Sequence, residues 1–208
     1  FPDDRVDYPA VREYKLPLLR TAFERFDEAA DGGDAGTEAA AELDAFRERE
    51  PWLADYALFQ ALAEARDEDT WVEWPEPLRT RDPEALAEAR DRHATEVRFR
   101  EFVQWTFDRQ WRELRAVAAE EGVSIVGDVP IYVALDSADV WANPEAFRLD
   151  GANRPTAVAG VPPNPGDDGQ RWGNPVYDWE RLAERGYDWW LARFRRLFDL
   201  ADVARLDH

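Results

Sequence analysis

An aspartate between two bases closes the chain in Ala204-Arg205-Leu206-Asp207-His208. The apolar run Val203-Ala204-Arg205-Leu206 reads as a short strand, which delivers Asp207 at its C-terminal tip. Arg205, two residues back on the same strand face, would hold that carboxylate ionised, the state a nucleophile needs. His208 would point to the other face unless the chain turns there. A second aspartate, Asp128, ends another β-branched run, Val123-Ser124-Ile125-Val126-Gly127-Asp128. In one parallel sheet both carboxylates can face one pocket, at the strand ends where barrel enzymes keep their chemistry. Two carboxylates about 5 Å apart, one nucleophile and one acid/base, are what a retaining glycosidase requires. Plainer readings stand beside these. Arg-x-Asp-His also describes a surface ion pair, and Asp128 also suits the cap of a turn.

The elements that must place these residues fall into two halves. Residues 9–121 read as helices. Leu16, Leu19, Phe23 and Phe26 recur at helical spacing over Pro9–Ala30, and Asp31 to Gly36 is a turn-rich break. A second helix is expected over Thr37–Arg49, and a third with Pro51 in its first turn and a stripe of Trp52, Tyr56, Phe59 and Leu62. Asp67–Arg81 reads as a loop packed by its aromatics. Asp82-Pro83 is an N-cap followed by a first-turn proline. The pattern from there to Glu121 is too long for one globular helix, which predicts a break near His93, and Gly122 supplies the stop. His93 itself reads as a surface or packing residue.

Residues 122–208 read as strand, long loop, helix, strand. Asp178 and Asp188 both suit N-caps, and Trp189, Trp190, Phe194, Leu197 and Phe198 mark a helix ending near Leu200. Strand, crossover helix, strand is a parallel βαβ unit. The segment from Asp128 to Asp178 is then an insertion at the end of the first strand. The fold class expected is α/β, with 122–208 as part of a barrel and 1–121 as a helical peripheral subdomain.

Composition narrows the function. The net charge is −19, from 26 basic and 45 acidic residues, and Lys15 is the sole lysine. Such a surface repels nucleic acid and anionic membranes and fits a salt-adapted, halophilic proteome. With no cysteine there are no disulfides or thiolate metal sites, and two distant histidines make no metal cluster. No run is long enough to span a bilayer and no signal peptide opens the chain, so a cytoplasmic protein is the expectation. The absence of Met and the stop after His208 read as a piece cut from a longer enzyme. Ten tryptophans, eleven phenylalanines and six tyrosines make the chain unusually aromatic; most suit a core, and surplus indole faces are surfaces on which pyranose rings stack.

Further motifs carry a resemblance. Gly127-Asp128-Val129-Pro130-Ile131-Tyr132-Val133 is followed by Asp136-Ser137-Ala138-Asp139-Val140-Trp141. Val158-Ala159-Gly160-Val161-Pro162-Pro163 and Gln170-Arg171-Trp172-Gly173-Asn174-Pro175 come later, with Arg5-Val6-Asp7-Tyr8 and Trp52 to Phe59 in the helical half. With Arg-Leu-Asp-His, these resemble the 4-α-glucanotransferases, or amylomaltases, of glycoside hydrolase family 77, over almost the whole chain. The resemblance implies a partial (β/α)8 TIM barrel with helical insertions. It implies Asp207 as the nucleophile that forms a β-glucosyl-enzyme, with Arg205 beside it. It implies Asp128 and His208 at the sugar site, and Trp172 and Asn174 on a loop over the acceptor side. It implies α-1,4-glucans (maltooligosaccharides, starch or glycogen) as substrates and no metal or organic cofactor. The family's acid/base glutamate and third carboxylate fall past residue 208, so this chain by itself is expected to be inactive. One departure concerns the lid, where Pro162-Pro163-Asn164-Pro165-Gly166-Asp167-Asp168 is one residue shorter than the family pattern and lacks its two aromatics. An α-amylase-type hydrolase and a non-catalytic glucan-binding protein are the alternatives. Trp172 reads equally well as a core residue, and Asn174-Pro175 as a turn.

Overall fold

The computed structural model describes residues 2, 4–30, 34–66 and 70–206. Asp207 and His208 lie outside the described residues. The helical half is built from α1 (Tyr8–Ala30), α2 (Asp34–Arg49), α3 (Leu53–Ala65), the single-turn α4 (Glu76–Arg79), α5 (Pro83–Arg92) and α6 (Ala94–Glu120). Asp82 caps α5 as its spacing predicts, its carboxylate accepting the Ala85 amide at 3.0 Å. The long pattern breaks at His93, which leaves the helical region with φ −110° between α5 and α6. Two expectations shift. Pro51 sits in a turn before α3 rather than inside its first turn, and the aromatic loop 70–82 folds into a 3-10 turn (Trp71–Glu73) and α4.

The second half contains β1 (Val126–Val129), α7 (Ala138–Ala142), β2 (Val158–Val161), β3 (Gln170–Pro175), α8 (Trp179–Glu184), α9 (Asp188–Leu200) and β4 (Val203–Leu206). β1 and β4 pair in parallel, with Val126 opposite Val203 and Asp128 opposite Arg205. The expected long loop instead holds an antiparallel hairpin of β2 and β3, with a bulge between Val158 and Gly160. Two helices, α8 and α9, make the crossover where the pattern predicts one. Asp178 caps α8, but Asp188 is the first residue of α9; the preceding Tyr187 adopts φ +58° and takes the cap position. From inside the first turn the Asp188 carboxylate accepts from Arg185 Nη2 at 2.8 Å and from the Trp189 amide at 2.7 Å. The architecture is a mixed α/β fold, and no helix among the described residues is long and apolar enough to cross a membrane.

Two apolar clusters hold it together. Phe23, Leu43, Phe46, Leu53, Phe99, Phe102 and Trp105 join α1, α2 and α6. The larger cluster joins α3 and α5 to the second half through Leu58, Leu62, Trp141, Phe147, Leu182 and Trp190. Helix α3 is the shared wall, with Leu53 in one cluster and Ala57 to Leu62 in the other. The helical half and the strand-bearing half therefore bury each other's apolar surface.

The register of β1 on β4 is fixed by a clamp at their N-terminal ends. The Ile125 amide donates to Asp202 Oδ2 at 2.8 Å, and the Asp202 amide donates back to the Ile125 carbonyl at 2.9 Å. Arg115 on α6 reaches the same carboxylate at 2.5 Å and the Asp199 carbonyl at 2.6 Å. The Ile125 amide and then Arg115 hold the Asp202 carboxyl below its ordinary value. Trp111 adds a bond from Nε1 to the Leu200 carbonyl at 2.7 Å, so α6 grips the turn between α9 and β4.

Gly127 lets α9 lie close on the sheet. A Cβ at this position would stand 2.8 Å from both Ala201 Cβ and Leu197 Cδ1. Gly127→Val is therefore expected to push β1 off α9 and destabilise the protein by about 1–3 kcal/mol, the usual cost of overpacking. Urea unfolding checks this, and an unchanged midpoint would show that the helix yields freely.

Candidate active site

Parallel pairing sends the C-terminal ends of β1 and β4 the same way, and open α/β sheets bind ligands outside those ends. There Arg205 Nη1 meets Asp128 Oδ2 at 3.1 Å. Both side chains remain open, at 60% and 57% of their full exposure. An ion pair this exposed contributes little to stability, so its value lies in the arrangement of charge. Arg205 joins the two strands through Asp128, while its expected pairing with Asp207 falls on a residue outside the described ones. The predicted nucleophile Asp207 and His208 lie outside the described residues. They follow directly on Leu206, the last residue of β4.

The segment leaving β1 has no regular structure, yet its carbonyls are held one after another by side chains from separate elements. Arg193 Nη2 on α9 donates to the Pro130 carbonyl at 2.6 Å, and the Tyr177 hydroxyl donates to that of Ile131 at 2.6 Å. Asn174 Nδ2 on β3 donates to the Val133 carbonyl at 2.9 Å. Ser137 Oγ holds Ala134 at 2.7 Å, and Trp71 Nε1 holds Leu135 at 2.7 Å. Side-chain ties to successive carbonyls fix the path of a loop that has no regular backbone pairing of its own. Burial pushes the Tyr177 hydroxyl well above its usual range, so it remains a protonated donor. Arg193 also stacks over Trp189 and Trp190, 5.3 Å from each ring centre.

Of the sequence-predicted residues, Asp128, Arg205, Trp172 and Asn174 can be placed. Asp128 is half of the strand-end pair and accepts from Arg205. Asn174 spends its amide donor on the Val133 carbonyl, so that donor shapes the loop. Trp172 is half-buried on β3 and outside both apolar clusters. Its Nε1 donates to Gln170 Oε1 at 2.9 Å, and its ring lies 6.3 Å from that of Tyr132. The tip of the hairpin carries the departed lid sequence, closed by reciprocal backbone bonds between Asn164 and Asp167 at 3.0 and 2.9 Å. Tyr132, Tyr177 and Arg193 carry no role in the sequence reading. Tyr132 stands within a quoted motif and Tyr177 two residues past another, but a tie to a backbone carbonyl leaves no mark in residue spacing.

Behind the strand ends, α9 is anchored by buried charge. Asp108, 3% exposed, accepts from Arg196 Nη1 at 2.7 Å, Arg49 Nη2 at 3.1 Å and Arg112 Nε at 3.0 Å. Glu50, 5% exposed, accepts from Trp52 Nε1 at 2.7 Å and Arg196 Nη1 at 3.3 Å. Arg196 thereby fastens the helix that leads into β4 to both α2 and α6.

Known proteins resemble the chain along its whole length. The family model described as 4-alpha-glucanotransferase matches residues 2–208. The 4-alpha-glucanotransferase of Thermus thermophilus is 48% identical over 210 residues, covering all of this chain and 41% of that protein. That of Synechocystis is 44% identical, with the same coverage, and the chloroplastic/amyloplastic enzyme of Solanum tuberosum is 40% identical over 36% of its own length. Among solved structures, the amylomaltase from Streptococcus agalactiae in complex with acarbose superposes with a TM-score of 0.89 at 36% identity. It covers 98% of this chain, which spans 40% of the amylomaltase. The chain thus corresponds to about two fifths of its relatives' length.

Proposed function

Since the chain belongs to the 4-alpha-glucanotransferase family, we propose that it forms part of a retaining enzyme moving α-1,4-glucan segments onto the 4-hydroxyl of an acceptor glucan or glucose. The observation that carries this reading is the register of β1 on β4, which sets Asp128 against Arg205 one strand position before Leu206-Asp207. The two parallel strands are read as neighbours in a (β/α)8 barrel, with 122–208 contributing to it and 1–121 lying on its outside. Asp207 attacks the anomeric carbon and the glycosidic bond to the departing glucan breaks, leaving a β-glucosyl ester. A second carboxyl group, assigned to a part of the protein outside these residues, protonates the leaving oxygen. It then takes the proton of the acceptor hydroxyl as that oxygen displaces Asp207, and two inversions restore the α configuration.

In this scheme Arg205 keeps negative charge favourable at the mouth, and Asp128 accepts hydrogen bonds from sugar hydroxyls. His208 contributes a further polar group to the same sugar unit. Trp172 offers its ring to the acceptor side, and Asn174 acts through the loop its amide holds. Substrates are maltooligosaccharides, starch or glycogen, which suits the acarbose complex of the structural relative. A net charge of −19 and the lack of cysteine support placing the enzyme in a salt-adapted cytoplasm.

Maltotriose tests the reading. The full-length protein is expected to yield glucose together with a ladder of longer maltodextrins. Glucose and maltose alone would mean hydrolysis, the outcome that the polar hairpin tip at Asn164–Asp168 would favour if it fails to exclude water. No turnover at all would leave only glucan binding.

A further inference from the structure

The segment leaving β1 carries one aromatic ring, Tyr132, and two of its ties fall on either side of that ring. Tyr177 holds the carbonyl before it and Asn174 the carbonyl after it. The Tyr132 ring also lies almost parallel to that of Tyr177, with centres 5.7 Å apart and planes at 16°. On another side it meets Trp172 at 6.3 Å and 56°. Tyr177 is 2% exposed and wedged among Phe147, Trp189 and Trp190, whereas Tyr132 and Trp172 are half-buried. The three rings therefore grade from a fixed interior base to a partly open wall beyond the Asp128 strand end.

We infer that Tyr132 and Trp172 form a two-ring wall on which a glucose unit stacks, and that Tyr177 is the positioning residue that sets this wall. The inference rests on the glucan reading above. Two inclined rings offer apolar faces to the C–H surface of a pyranose, and neither carries a charge that a neutral sugar would have to desolvate. Tyr177 has no open face for a ligand. It acts through the Ile131 carbonyl and through the face it lends to Tyr132. A ring held from beneath and tied on both flanks is ordered before substrate arrives, which lowers the cost of binding.

The test is a double-mutant cycle in the full-length protein, reading KM and kcat with maltotriose and the thermal midpoint. Tyr132→Ala is expected to raise KM about tenfold, a factor equivalent to about 1.4 kcal/mol, with kcat little changed. Tyr132→Phe keeps the ring and should recover most of the affinity that Tyr132→Ala loses. Tyr177→Phe keeps the buried ring, loses only the hydroxyl, and should raise KM several-fold with the fold intact. Asn174→Ala, which removes the tie on the other flank, should do the same. On a Tyr132→Ala background, Tyr177→Phe should add nothing further to KM, because its effect passes through the missing ring. Fully multiplicative effects would show that Tyr177 only supports the fold and overturn the positioning role. An unchanged KM in Tyr132→Ala would overturn the wall. Both require an active wild-type protein; its failure to turn over maltotriose would instead defeat the glucan reading.

Discussion

Replacing Asp207 by Asn in the full-length protein is expected to lower kcat on maltotriose by about 10³-fold or more, as losses of a catalytic group do. The amide matches the carboxylate in shape, so packing and charge-independent contacts persist. It lacks the anionic oxygen that forms the ester to the anomeric carbon in the proposed mechanism. Asp128, the other carboxylate at these strand ends, is already met by Arg205 at 3.1 Å. Glucan affinity should persist, because the sugar-binding groups are untouched. That separation of turnover from binding distinguishes a nucleophile from the residue of a binding protein, for which both would stay at the wild-type level.

The second large effect concerns stability. Asp108→Ala is expected to destabilise the protein by about 3–5 kcal/mol, the cost of breaking a buried ion pair from one side. Removing this carboxylate leaves Arg49, Arg112 and Arg196 close together, with Glu50 as the remaining buried acid. Arg196 would lose its 2.7 Å partner and with it the hold of α9 on α6. Such a loss is a large share of a typical folding stability of about 5–15 kcal/mol. The control is Asp44→Ala, whose side chain is 67% exposed in its pair with Arg47 and whose loss should cost less than about 1 kcal/mol. Urea midpoints measured side by side decide it. Equal shifts would mean that the interior network contributes no more than a surface pair.

Much of this arrangement was legible in the sequence, and the illegible parts share a cause. Helix stripes, the Asp82-Pro83 start and the break at His93 are local signals, decided by residues within a turn or two. The β-branched run before Asp128 and the short apolar run before Asp207 likewise foretold the parallel pair. The hairpin of β2 and β3 is illegible because β3, Gln170–Pro175, mixes polar residues with glycine and proline and has no β-branched run to mark it. Asp188 was misassigned because Tyr187 takes a left-handed conformation that a tyrosine does not advertise. The pairing of Arg205 with Asp128 spans 77 residues, and its register depends on a clamp between Asp202 and Ile125. The ties on residues 130–135 end on backbone carbonyls, which every residue possesses. The quoted motifs cover β1, the segment leaving it and β3, while hydrogen bonds to that segment's carbonyls give Tyr177 and Arg193 their parts.

In the proposed mechanism Asp207 becomes bonded to sugar. A fluorinated α-maltosyl fluoride that forms its glycosyl-enzyme faster than it releases it would capture that state in the full-length protein. Peptide mass mapping is predicted to find one added glycosyl group on the peptide containing Val203 to His208, at Asp207. An adduct on another carboxylate, or turnover of the reagent with no adduct at any stage, would contradict it.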